Sequence, residues 1–204
     1  MFISVLYNTP KSDTNVSVWR TVMREYLLLL PLIFIFHDME EIVGFGWFFR
    51  KNPWLYKRFP KVMKSYTGFT EMGMAMAVYE ELILFGGVSL AAYYFPGRIL
   101  FSVWYGFFLV LAGHFCVHIG HTVYIRKYIP SFITSVISLP VSVIILIRAS
   151  RFLTFDALTV TGIALSILIM IGNFFMLHAF MRKVNDRIND PDKNCNEVPI
   201  PGRF

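Results

Sequence analysis

Histidines and carboxylates recur inside the most apolar stretches of this chain, in a pattern typical of metal ligands. The segment HDMEE places His37, Glu40 and Glu41 at i, i+3 and i+4. At about 100° per residue these three side chains share one face of a helix. Imidazole nitrogens and carboxylate oxygens are ordinary ligands of zinc and iron. The spacing therefore predicts a helix that presents ligands for a metal ion.

Further candidate ligands lie in later apolar segments. The segment HFCVHIGH places His114, His118 and His121 at i, i+4 and i+7, again on one helix face. Glu80 and Glu81 are adjacent, so only one of them can point squarely at a shared site, and we expect Glu80 to do so. The predicted metal ligands are His37, Glu40, Glu41, Glu80, His114, His118, His121 and His178. For the histidines at 121 and 178, direct binding and support of other ligands both stay open.

The number of candidate ligands predicts more than one ion. Four or five imidazoles with two or three carboxylates exceed what one tetrahedral zinc ion needs. We therefore expect a dinuclear site with two divalent ions, iron or zinc, with manganese as a further option. Glu40 and Glu80 are the expected catalytic residues, either as bridging ligands or as general bases. The competing interpretations are a proton relay, hydrogen-bonded packing, and a helix end that meets water.

The elements that carry these residues are membrane spans. Apolar residues make up 56% of the 204 residues and charged residues only 16%, which is unlike a soluble chain of this length. The fold class we expect is all-α, a polytopic bundle of about five spans at residues 25–49, 69–95, 99–125, 129–147 and 157–181. This bundle occupies residues 21–185, between a polar N-terminal segment at 1–20 and a polar, disordered tail at 186–204.

No lysine or arginine falls within these spans, so the buried acids need another partner. An ionised carboxylate at the centre of a bilayer costs on the order of 3 kcal/mol or more. A bound cation would offset that cost, and protonation is the alternative. The absence of basic partners makes a metal ion the favoured solution.

The basic residues predict how the protein is oriented. One side of the predicted bundle holds 13 of the 19 Lys and Arg residues, which by the positive-inside rule is the cytoplasmic side. The N-terminus is then outside, the C-terminus is inside, and the site lies in the cytoplasmic half of the membrane. The net charge of +6 fits contact with anionic headgroups, so we expect no nucleic-acid partner.

Residues 37–41 resemble the motif that names the HXXEE family of small bacterial membrane proteins, whose function is unknown. That family tends to show Asn-x-x-x-His before Tyr-x-Pro-Gly-x-x-Thr. In this chain His114 and His118 precede the run from Tyr128 to Thr134, so that His114 stands for the usual Asn and Ser131 for the usual Gly. The similarity covers roughly residues 25–180. It implies a bacterial cytoplasmic membrane as the location and little about activity.

Three functions follow from these observations. The first is a metal-dependent membrane enzyme, an oxidoreductase or a hydrolase, acting on a lipid or another hydrophobic small molecule. The second is a transporter of divalent metal ions or protons, for which a homodimer would supply a roomier pathway. The third is a structural or lipid-binding membrane protein, which leaves the ligand-like helix faces unexplained.

Overall fold

The computed structural model describes residues 23–190, and these are almost entirely helical, with no strand among them. The predicted all-α fold is confirmed. The helices, with one 3-10 turn at Lys64–Tyr66, are α1 (Leu29–Lys51), α2 (Trp54–Arg58), α3 (Pro60–Met63), α4 (Glu71–Tyr94), α5 (Arg98–Ile125), α6 (Phe132–Ser150) and α7 (Ala157–Ile188). The predicted N-terminal segment lies outside the described residues. So does most of the predicted tail, although α7 runs to Ile188.

Four helices, α4 to α7, are long and apolar enough to cross a membrane. They correspond to the second to fifth predicted spans. The first predicted span corresponds to α1, which is long enough to cross a membrane at 23 residues. Its acids, Asp38, Glu40 and Glu41, make it too polar to qualify by composition. That α1 spans the membrane therefore stays a prediction, and so does the orientation of the bundle.

The central helix of the bundle is α5, which packs against α4, α6 and α7. In the most apolar stretch of α5, 56% of the residues are buried, whereas in the corresponding stretch of α7 the buried share is 22%. Small residues let α5 and α7 approach closely, because a Cβ on Gly106 would lie 2.6 Å from Cβ of Ser166, and one on Gly162 would lie 2.8 Å from Cβ of Ser102. Each helix thus offers two small residues four positions apart, a common packing device in membranes.

Pro31 lies in the first turn of α1 and separates it from the helical residues 23–27. A proline has no backbone N–H, so the carbonyl of Leu27, four residues earlier, loses its usual partner. The indole N–H of fully buried Trp104 donates to that carbonyl at 3.1 Å. This bond ties the start of α1 to α5, the helices that carry six of the eight predicted ligands.

The loop from α5 to α6 packs directly on α1. A Cβ on Gly44 would lie 2.5 Å from Cβ of Pro130, so only glycine allows this close approach. The residue after the proline, Ser131, adopts φ +87°, in the left-handed region that favours glycine. The contact places the first residues of α6 beside the acidic motif of α1.

Candidate metal centre

Four of the predicted ligands converge on one point between α1 and α5. His37, Glu41, His114 and His118 each offer one ligand atom, and these atoms lie within 4.8 Å of one another. Nε2 of His118 is 2.9 Å from Oε1 of Glu41 and 2.7 Å from Nε2 of His114. Nε2 of His37 is 3.7 Å from the same glutamate oxygen. Both helices contribute residues at i and i+4, as their spacing predicts.

The donor set fits a metal ion. Bonds of about 2.0–2.2 Å at tetrahedral angles separate ligand atoms by about 3.3 Å, and the observed distances fall around that value. His37 is fully buried, yet its Nε2 atom has no hydrogen-bond partner and lies 3.7 Å from Oε1 of Glu41, which is 4% exposed. Buried polar atoms are normally satisfied, and a cation between this nitrogen and the carboxylate would satisfy both.

A hydroxyl group orients His37. Oγ1 of Thr134 lies 2.6 Å from Oε2 of Glu40 and 3.1 Å from Nδ1 of His37. The carboxylate can only accept, so the threonine hydroxyl donates to it and is left to accept from His37. Nδ1 of His37 then carries the proton, and Nε2 points its lone pair at the other ligands. Metal-bound histidines are commonly fixed in this way by a partner on the far nitrogen.

Another hydroxyl group holds His118. Oγ of Ser131 lies 2.6 Å from Nδ1 of His118, so both histidines turn Nε2 toward the centre and Nδ1 toward α6. Ser131 is fully buried and keeps its left-handed backbone although it is not glycine. The cost of this conformation, about 1–3 kcal/mol, is offset by the contacts that hold the segment, including that of Pro130 with Gly44.

Glu40 faces α6 and not the ligand cluster. Its carboxylate accepts hydrogen bonds from the backbone N–H of Thr134 at 2.8 Å and from the hydroxyl of Tyr128 at 2.5 Å. Burial, together with this bond to Glu40, raises the pKa of Tyr128 to about 12. Tyr128 therefore stays protonated as a donor across the physiological range. The role we see for Glu40 is to anchor the start of α6, which in turn positions the threonine that holds His37.

Three other predicted ligands also lie outside the cluster of four. Glu80 accepts a hydrogen bond from Asn173 on α7 at 3.2 Å. His121 is exposed, with its ring centroid 6.4 Å from that of His118. His178 is half-buried, and its Nδ1 lies 2.8 Å from the carbonyl oxygen of Phe174. These positions leave one tightly grouped set of ligands where the sequence predicts two ions.

A cavity of about 300 Å³ opens beside the cluster, and Glu41, His114 and His118 form part of its wall. Most of the lining is apolar, with Phe34, Phe85 and Leu111 among the buried side chains, and the remaining polar members are Asp38, Tyr66, Glu81 and His178. The structure thus places Glu81, and not Glu80, at the cavity. Adjacent residues diverge by about 100° around a helix, so only one of the pair can face it.

Sequence reasoning did not assign Ser131, Thr134, Asp38 and Glu81 to the site. The two hydroxyl residues fall inside the Tyr-x-Pro run that follows the histidines, and this nearness was the available signal for them. The indication in the sequence was stronger for Asp38, because it lies three residues before Glu41 and residues at i and i+3 are neighbours on one side of a helix. An acid in a predicted span without a basic partner merited the same attention as its neighbours.

Comparison with curated proteins and with solved structures finds no match for this chain. A family model described as a protein of unknown function with HXXEE motif matches residues 28–145. That range is more than half of the 204 residues, and it includes all four residues of the ligand cluster. The chain belongs to the family of proteins of unknown function that carry the HXXEE motif.

Proposed function

We propose that this protein is a membrane metalloenzyme that binds a divalent ion through His37, Glu41, His114 and His118 and acts on a hydrophobic substrate. One observation carries the proposal: four ligand atoms lie within 4.8 Å of one another, and three of the residues that offer them, Glu41, His114 and His118, line a largely apolar cavity. Pockets that bind apolar molecules combine such a lining with a few convergent polar groups. A purely structural metal site has no need of a cavity at its side.

The ligand set supports a choice among ions. Three imidazoles and one carboxylate suit zinc, iron and manganese. Four protein ligands complete a tetrahedral zinc ion, whereas a six-coordinate ion keeps two positions free for a reactant. The set therefore favours iron or manganese, and an oxidoreductase over a hydrolase. Bound iron or manganese would supply redox chemistry, and zinc would supply an activated water molecule. A second ion is not part of the proposal, because Glu40 and Glu80 turn away from the cluster.

The protein's own groups would do the rest. The hydroxyls of Thr134 and Ser131 keep the Nε2 atoms of His37 and His118 directed at the centre, so little reorganisation is needed for binding. The apolar lining would hold a hydrocarbon substrate against the centre and keep bulk water away from it. Excluding water strengthens every electrostatic interaction inside such a site.

Elemental analysis of the detergent-purified protein tests the proposal. We expect about one equivalent of a divalent metal in the wild type, and a loss of at least tenfold in His118→Ala, because removal of a ligand opens the cluster. His121→Ala is the matched control. It removes the same side chain from the same helix, three residues along and exposed to the surroundings, and we expect it to keep its metal.

The proposal fails if the wild type stays free of metal after incubation with iron, zinc and manganese in turn. It fails equally if His118→Ala and His121→Ala retain the same metal content, since the ion would then lie elsewhere. Iron or manganese would direct the search for activity toward oxidation of lipids, and zinc toward hydrolysis.

A further inference from the structure

The cavity beside the ligand cluster contains carboxylates that the cluster does not use. Asp38 is 3% exposed and Glu81 is half-buried, and both line the cavity with Glu41. Asp38 interacts electrostatically with both of these glutamates, while its Oδ2 atom has no hydrogen-bond partner. A buried oxygen in this state lacks a hydrogen-bond donor or a positive charge. A ligand that enters the cavity could supply this donor.

His178 adds one more acceptor to the same wall. Its Nδ1 atom lies 2.8 Å from the carbonyl oxygen of Phe174. A carbonyl only accepts, so Nδ1 donates, and in the neutral ring Nε2 is left with its lone pair. The second nitrogen of this cavity-lining histidine is therefore an acceptor, like the carboxylates of Asp38 and Glu81.

No basic side chain balances these acceptors. Within the described range, 23–190, the lining of the cavity includes neither Lys nor Arg. The carboxylate oxygens of Asp38 and Glu81 and the Nε2 atom of His178 are therefore acceptors that have no basic partner in the lining. A hydrogen-bond donor would pair with them, whereas a carboxylate or phosphate end would add acceptors to a wall that already has an excess of them.

The size and the rim of the cavity indicate a chain that continues into lipid. Its volume of about 300 Å³ holds roughly ten non-hydrogen atoms at about 30 Å³ each, the volume per molecule of liquid water. Ile171, Phe174 and Phe175 lie at its edge on α7 and are 51%, 49% and 70% exposed. Because α7 is apolar enough to cross a membrane, these side chains would face acyl chains, and a longer hydrocarbon would pass between them.

We propose that this cavity binds a single-chain amphiphile whose polar end donates hydrogen bonds and carries no negative charge, with Asp38 and Glu81 as the residues that determine this specificity. Alcohols and amines share the required chemistry. The inference rests on the proposed function, because it names the substrate class of the same site. It goes further in excluding fatty acids and phosphate-ended lipids.

Displacement of an apolar fluorescent dye from the metal-loaded protein in detergent tests this inference. The probes are 1-decanol, decylamine and decanoate, which share a chain of ten carbons and differ only at the polar end. We expect decanol and decylamine to displace the dye at concentrations at least tenfold lower than decanoate. In Asp38→Asn/Glu81→Gln we expect the difference between decylamine and decanoate to shrink by at least tenfold.

Two further variants make the result decisive. Glu81→Gln alone alters the half-buried acid and keeps Asp38, so it provides a test even if the double variant does not fold. We expect it to show part of the same loss of preference for decylamine over decanoate. Glu71→Gln is the control, since this glutamate is exposed and paired with Arg50 at 3.2 Å and does not line the cavity. It should keep the full preference of the wild type.

Metal content measured on the same samples separates the possible failures. Decanoate binding as tightly as decylamine to the wild type overturns the inference. So do two metal equivalents in the wild type that fall to one in the double variant, because Asp38 and Glu81 would then bind a second ion. A wild type that binds no metal but still prefers decanol and decylamine to decanoate refutes the proposed metalloenzyme and supports the inferred ligand specificity of the cavity.

Discussion

Replacing Thr134 with valine isolates the contribution of one hydroxyl group to the metal centre. Valine has nearly the same shape as threonine, so the packing of this 9% exposed side chain is kept. The change removes the bond of 2.6 Å to Glu40 and the bond of 3.1 Å to Nδ1 of His37. The backbone N–H of residue 134 still donates to Glu40 at 2.8 Å, so the start of α6 stays anchored.

We therefore expect the change to lower metal affinity as well as the stability of the fold. Without its acceptor, the ring of His37 is free to rotate or to move its proton to Nε2, and either change removes the lone pair from the centre. Loss of such an outer partner costs about 10–100-fold in metal affinity, which corresponds to about 1.4–2.7 kcal/mol. The loss of the charged hydrogen bond to Glu40 adds a stability cost of about 1.5–3 kcal/mol.

Competition with a chelator of known affinity measures the effect in detergent. Thr161→Val is the matched control, because Thr161 is exposed on α7 and its hydroxyl donates only to the carbonyl of Ala157 in its own helix, at 2.7 Å. We expect Thr134→Val to bind metal 10–100-fold more weakly than Thr161→Val. Equal affinities in the two variants would refute the assignment of Thr134 as the group that orients His37.

Two further predictions concern the loop that carries the hydroxyls. Gly44→Ala should destabilise the protein by about 1–3 kcal/mol through overpacking, which would lower its thermal midpoint in detergent. Gly86→Ala is the control and should keep the midpoint of the wild type, because a Cβ at Gly86 would meet nothing within 4 Å. Equal midpoints in the two variants would contradict the close packing of Gly44 on the loop. Ser131→Gly should weaken metal binding about tenfold, since Nδ1 of His118 loses its partner, while glycine keeps the left-handed backbone without strain. Unchanged metal affinity in that variant would show that the serine hydroxyl does not support His118.

Much of the fold was predictable because hydropathy acts locally. The apolar runs at 69–95, 99–125, 129–147 and 157–181 correspond to α4–α7, with ends that differ by at most three residues except at the C-terminus of α7, which runs seven residues further. The remaining long helix, α1, is not apolar enough to qualify as a span, and it is the helix that carries the acidic motif. The three acids lower the hydropathy of α1, and one of them, Glu41, belongs to the ligand cluster. The helix that offers these ligands is therefore also the one whose hydropathy predicts a membrane span least clearly.

Helical spacing predicted which residues of one helix act together, and the pairs His37–Glu41 and His114–His118 are the i, i+4 pairs that the structure brings to one point. Spacing could not show whether Glu40 or Glu41 points at the ligand cluster, because positions i+3 and i+4 lie on the same broad face of a helix. Contacts with other helices decide this, and the carboxylate of Glu40 binds the start of α6 instead. For the same reason the choice between adjacent acids in α4 depended on the neighbouring helix, where Asn173 pairs with Glu80.

Two neighbouring residues contact opposite sides of a single imidazole ring. Nε2 of His114 lies 2.7 Å from Nε2 of His118, and Oγ of Ser131 lies 2.6 Å from Nδ1 of the same ring. His114 offers a further ligand atom to the cluster, and Ser131 fixes the orientation of its neighbour. A serine held in the left-handed region, where glycine would be relaxed, has a backbone cost that its hydroxyl contact can offset. We therefore expect the proposed metal binding to depend on His118 more than on the other two histidines of the cluster.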